Sequence, residues 1–112
     1  MGILNITPDS FHRQSRYETV EIATQAAISM AMNGADWIDV GGESTRPGSR
    51  AVLPDQEEAR VVPVIQSIRD ELPDIGISID TRRSSVAFSS LEAGADMIVI
   101  HSKKKQPDEV IE

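Results

Sequence analysis

The chain has 112 residues, 26% charged and 39% hydrophobic, the composition of a globular domain or a piece of one. Its net charge of −7 repels phosphate and excludes a general affinity for nucleic acid. It has no cysteine, hence no disulfide and no thiolate metal site, and no apolar run approaches the roughly 20 residues of a membrane span. With no visible signal peptide, the expected location is cytoplasmic. Aromatic residues are only 4%, so the core must come from Ile, Val, Leu, Ala and Met.

In chain order, Gly2 to Asn5 is a short apolar strand that stops at Thr7-Pro8-Asp9-Ser10. It opens the chain directly, and an upstream segment is expected before it. From Glu18 the period becomes helical, with Val20, Ala23, Ala27, Met30 and Ala31 on one face and Gly34 as the residue that ends the helix. Asp36 to Val40 is the next strand, and residues 41–48 (GGESTRPG) read as a loop.

Asp55 with Glu58 three residues on predicts a capped helix start, and Ala59, Val62, Ile65 and Ile68 an apolar face interrupted by a kink at Pro63. Ile75, Ile77 and Ile79 alternate with Gly76, Ser78 and Asp80 in a third strand. A helix follows from Arg83 to Ala93, then Gly94, then a strand from Met97 to His101. Pro107 opens a further helix. The stretch Asn33-Gly34-Ala35-Asp36 is echoed by Ala93-Gly94-Ala95-Asp96, each a helix end leading into a strand.

Alternating β and α units imply a parallel sheet with helices packed outside. Strands starting near residues 2, 36, 75 and 96 suit a (β/α)8 barrel, of which this is about half, but doubly wound sheets share that spacing. Polar residues at the strand ends, Asn5, Asp39, Asp80 and His101, favour the barrel, whose sites lie there. No G-x-G-x-x-G turn follows the first strand.

Asn5, Asp39 and Asp80 would converge on one mouth and suit either a hard cation or a ligand rich in N–H donors. The alternative is that they are ordinary turn and cap residues. Residues 41–48 offer hydroxyls, a guanidinium and approachable backbone for an anion, or form a plain turn. Phe11 reads as a lid contact or as packing, Trp37 as packing, His101 as an acid, base or phosphate contact or a bland surface residue, and Lys103 to Lys105 as a solvated run.

Residues 1–11 (MGILNITPDSF) and 34–48, from Gly34-Ala35-Asp36 to Arg46-Pro47-Gly48, resemble the two leading signatures of dihydropteroate synthases. Arg60 to Ile65 and Ile77 to Thr81 are similar to the family's next helix and strand. The resemblance covers residues 1–98 in order, leaves 99–112 divergent, and makes 1–112 a partial pterin-binding barrel domain.

It implies a transferase of folate biosynthesis that joins p-aminobenzoate to a dihydropterin-methyl diphosphate, releases pyrophosphate and uses Mg²⁺. It further implies Asn5 as the metal ligand, Asp80 and Arg46 as catalytic residues, Asp80 on the pterin ring, Thr45 on the diphosphate and Asp39 at the pocket floor. Arg46, Pro47, Asp9 and Phe11 would build the pyrophosphate and p-aminobenzoate sites.

The sequence departs from the family twice. His12-Arg13-Gln14-Ser15 replaces a glycine-containing loop segment, and Val99-Ile100 replaces an Asn-Asp pair whose Asn grips the pterin. Residues 95–109 instead resemble a segment of the phosphoenolpyruvate mutase family, as a chimera, an engineered half-barrel or a rearranged gene would. Later strands of the barrel carry further site groups, so little or no synthase activity is expected of these residues alone, and open strand edges predict pairing with a second copy as a homo-oligomer. The rival readings are a non-catalytic pterin- or pyrophosphate-binding module, an engineered half-barrel, and the pterin domain of a methyltransferase, against which residues 43–47 (ESTRP) speak.

Overall fold

A computed structural model describes residues 2–6, 16–42 and 53–100, without the side chains of residues 5, 16–18 and 100. Strands and helices alternate: β1 (Gly2–Asn5), α1 (Arg16–Met32), β2 (Trp37–Gly41), α2 (Pro54–Glu71), β3 (Gly76–Thr81), α3 (Ser84–Ala93) and β4 (Met97–Ile100). The first helix starts two residues before its expected Glu18, and β2 and β3 lie one residue later than their hydrophobic patterns imply. The helix expected at Pro107 and the end of the last strand at His101 lie outside the described residues.

All pairings are parallel, and the strands lie in chain order, β1-β2-β3-β4. A doubly wound sheet reverses direction at a switch point, and this one does not. α1 packs on α2 and α2 on α3, so the helices line one side of the sheet. Repeated crossovers of one hand with sequential strands generate an arc of a (β/α)8 barrel, here four of eight strands. No described helix is long and apolar enough to cross a membrane.

The helix-facing side of the sheet holds the core. Leu4, Ile38, Val40, Ile77 and Ile79 bury against Ala23 and Ala27 of α1, Val61, Val64, Ile65 and Ile68 of α2, and Val86 of α3. Each fully buried Ile or Val contributes roughly 1.5–3 kcal/mol. α2 turns a different face inward than its apolar pattern suggests: Glu57, Val61, Val64, Ile65 and Ile68 are buried, whereas Ala59 and Val62 are only half-buried. The helix continues through Pro63. Its cap also differs from the expected Asp55/Glu58 pair, because Leu53 precedes Pro54 and the Leu53 N–H donates to Gln56 Oε1 at 3.2 Å. Leucine has no side-chain acceptor, so only this return half of a capping box forms.

The echoed turns are the same device used twice. Gly34 and Gly94 have φ of 105° and 127°, where a side chain would be strained. The following N–H reaches back in each, Ala35 to the Met30 carbonyl and Ala95 to the Ser90 carbonyl, both at 3.0 Å. Arg69 then closes the lower end of the sheet. Its guanidinium donates to the carbonyls of Ile75 at 2.7 Å, Pro73 at 2.9 Å, Leu72 at 3.3 Å and Gly94 at 2.9 Å, and to Asp96 Oδ2 at 2.7 Å. The Ile77 N–H donates to the same Asp96 oxygen at 2.9 Å. Stability is expected to concentrate at this N-terminal face of the strands.

Candidate active site

Register decides which residues share the concave face. Asn5 pairs with Gly41, Gly41 with Asp80 and Asp80 with Val99, so these four form one row at the C-terminal ends of the strands. Adjacent strands lie roughly 4.8 Å apart, which puts Asn5 and Asp80 about 10 Å from each other across a glycine that fills none of the space between. Of the three residues expected to converge, Asn5 and Asp80 share this row in the backbone, and Asp39 lies one layer below it. Asp80 is half-buried.

One layer below lie Ile3, Asp39, Ser78 and Met97. The Ser78 hydroxyl donates to Asp39 Oδ1 at 2.6 Å, and both residues are buried. The hydroxyl satisfies one oxygen of a carboxylate that burial would otherwise penalise. Ile3 and Met97, at the two ends of the row, are exposed. Trp37 belongs to the lowest layer, its ring lying on Gly76, in keeping with a packing role.

Behind the mouth sits a charged clasp that the hydrophobic pattern does not reveal. Glu57, 1% exposed, accepts from Arg83 Nη1 at 2.8 Å. Arg83 caps α3 immediately after β3, and its N–H donates to Thr81 Oγ1 at 3.1 Å. Gly42 presses against the same turn of α2, where a Cβ would come within 2.9 Å of Val61 Cγ1 and 3.2 Å of Glu57 Cγ. Arg60 Nη1 donates to the Gly42 carbonyl at 3.1 Å. The ends of β2 and β3 are thus tied through the first turns of α2. Removing one partner of such a buried pair costs about 3–5 kcal/mol. The four-residue step from Glu57 to Val61 is the one sequence signal that places Glu57 on the buried face.

Of the other expected site residues, Asp9, Phe11, Thr45, Arg46, Pro47, His101 and Lys103 to Lys105 lie outside the described residues. Among the described residues no three His, Cys, Asp or Glu side chains converge to hold a metal ion. A groove of about 340 Å³ opens elsewhere, on the outer side between α3 and β4, lined by Arg82, Ala87, Phe88, Leu91 and Ile98 among others. It is largely apolar, and neither Asp39 nor Asp80 reaches it.

Comparison with known proteins agrees with this geometry. The family described as "Pterin binding enzyme" matches residues 1–111. A dihydropteroate synthase of Clostridium beijerinckii is 49% identical over 98 residues, covering 88% of this chain and 36% of the relative. A probable bifunctional folylpolyglutamate synthase/dihydropteroate synthase of Halobacterium salinarum is 55% identical over 98 residues, covering 88% of this chain and 12% of that protein. Among solved structures, the Clostridium difficile dihydropteroate synthase in the presence of pteroic acid superposes with a TM-score of 0.83 at 46% identity, covering 97% of this chain and 41% of its own. The Xanthomonas albilineans enzyme with 4-aminobenzoic acid also gives 0.83, at 40% identity, covering 99% and 41%. The chain spans about two-fifths of these solved structures. On sequence, topology and register alike, it belongs to the pterin binding enzyme family and corresponds to the N-terminal part of dihydropteroate synthases.

Proposed function

We propose that these residues supply one side of a dihydropteroate synthase site, which takes a dihydropterin-methyl diphosphate and p-aminobenzoate and releases pyrophosphate. The observation that carries this reading is the row Asn5, Gly41, Asp80, with Asp39 and Ser78 one layer below. Asp80 accepts N–H groups of the pterin ring, and the Asp39–Ser78 pair forms the floor beneath it. Asn5 offers its amide oxygen to the Mg²⁺ ion that accompanies the diphosphate. Thr45, Arg46 and Pro47, with Asp9 and Phe11, complete the anion and p-aminobenzoate side.

In the reaction the methylene–oxygen bond breaks and pyrophosphate keeps the electron pair. The amine nitrogen bonds to the methylene carbon and sheds a proton. Mg²⁺, when bound, neutralises charge on the leaving group. The protein's part is to hold the ring, orient it and exclude water, without a protein nucleophile.

Val99 stands in register with Asp80 and cannot hydrogen-bond through its side chain, so one pterin contact is missing and little or no turnover is expected of these residues alone. Calorimetric titration with the pterin diphosphate and Mg²⁺ tests the reading. Saturable heat that is lost in Asp80→Ala is expected; no heat from folded wild-type chain would refute it.

The chain also pairs with a second copy in this reading. Among the described residues β1 and β4 are the edge strands of the sheet, and Ile3, Met97 and Phe88 are 60%, 41% and 65% exposed. Sedimentation should show a dimer or larger species, and a monomer at micromolar concentration would remove this part. The cysteine-free composition suits a cytoplasmic location.

A further inference from the structure

We infer that Glu57 and Arg83 are positioning residues for the pterin contact, a role that rests on the function proposed above. A buried carboxylate with one satisfied oxygen is a poor stabiliser. Glu57 Oε1 meets Arg83, while Oε2 is buried with no hydrogen-bond partner. A unit built for stability alone would fill this space with an apolar side chain. Local rules broken in this way concentrate at functional sites.

The location gives the reason. Arg83 lies three residues after Asp80, and Glu57 packs on Gly42, next to the Gly41 that separates Asn5 from Asp80. The Gly41 carbonyl accepts the Ile6 N–H at 2.7 Å, so the ends of β1, β2 and β3 form one connected rim. The ion pair fixes direction where apolar packing would fix only distance. It holds the carboxylate of Asp80 at a set height relative to Asn5. Arg60, bound to the Gly42 carbonyl, braces the same rim.

The discriminating variant is the double replacement Glu57→Leu with Arg83→Met. It should fold with a Tm equal to or above that of the wild type. Amide exchange at Ile6 and at position 83, the latter expressed as a protection factor to allow for the changed side chain, should accelerate at least tenfold, while Ile77 and Ala95, at the opposite end of the strands, keep their rates. The Kd for the pterin diphosphate with Mg²⁺ should rise at least tenfold, a loss that lowered stability would not explain. If the double variant fails to fold, Glu57→Gln keeps the size and one acceptor and is read the same way.

Unchanged exchange at Ile6 and at position 83 overturns the inference, as does accelerated exchange with unaltered pterin affinity. Wild-type chain that binds no pterin refutes the proposed function instead. Exchange at the two rim amides then decides alone whether the clasp sets the mouth.

Discussion

Replacing Arg69 by methionine removes one guanidinium that serves four carbonyls and one carboxylate. The Ile75 carbonyl at 2.7 Å and the Gly94 carbonyl at 2.9 Å are part-buried acceptors that water replaces poorly. Leaving each without its donor costs about 1–3 kcal/mol. The Pro73 carbonyl is exposed and rehydrates at little cost. The Asp96 side chain is 48% exposed, so the ion pair itself adds at most about 1 kcal/mol.

The expected loss is therefore about 2–6 kcal/mol, most of it from the carbonyls. At about 4–8 °C per kcal/mol for a small domain, the Tm should fall by at least about 8 °C. Thermal unfolding followed by circular dichroism measures this, with Asp96→Asn as the companion variant. Asn retains an acceptor for the Ile77 N–H and should cost no more than about 1 kcal/mol. Equal losses in the two variants would mean that the ion pair, not the carbonyl cap, closes this end of the sheet. A fall of less than about 4 °C in Arg69→Met would refute the reasoning altogether.

Two further substitutions probe the site and the core. Val99→Asn puts an amide in register with Asp80, and one added hydrogen bond should tighten pterin diphosphate binding about three- to tenfold by calorimetry; unchanged or weaker binding would show that this position does not face the ring. Ser90 is fully buried in α3 and its hydroxyl has no partner, so Ser90→Ala should leave stability unchanged or raise it by about 1 kcal/mol in urea unfolding, and a loss above about 1 kcal/mol would reveal a bond that the structure does not show.

The alternation of strands and helices was legible because buried strands and helix stripes differ in period, and the two Gly-Ala-Asp turns announce where each strand begins. Local patterns carry no information about which strands pair, so the barrel was legible only indirectly, from the polar strand ends, the missing G-x-G-x-x-G turn and the family resemblance, and the sequential strand order bears it out. The phase of α2 was misread for a specific reason. Val61, Val62, Val64 and Ile65 offer apolar residues on adjacent stripes, and Glu57, which completes the buried one, counts as polar in any hydropathy pattern.

Arg69 escaped notice on the same ground, since a cation reads as surface until its carbonyls are in place. Asp39 and Asp80 were readable as strand-end acids, and their placement on one face two residues apart follows from the β period. Ser78 fills the position opposite Asp39, yet only pairing discloses that the two are hydrogen-bonded.

The ionic contacts also distribute stiffness unevenly. α2 is pinned at both ends, by Glu57 to the turn after β3 and by Arg69 to the turns before β3 and β4. Among the described residues, the contacts of α1 with α2 include the uncharged 2.8 Å hydrogen bond between the Thr24 and Ser67 hydroxyls. Residues 54–99 therefore behave as a riveted plate, with the first strand and helix hung beside it on a softer seam. Asp80 rides on the plate, and the Glu57–Arg83 clasp together with the Ile6–Gly41 hydrogen bond carries that stiffness across the seam towards Asn5.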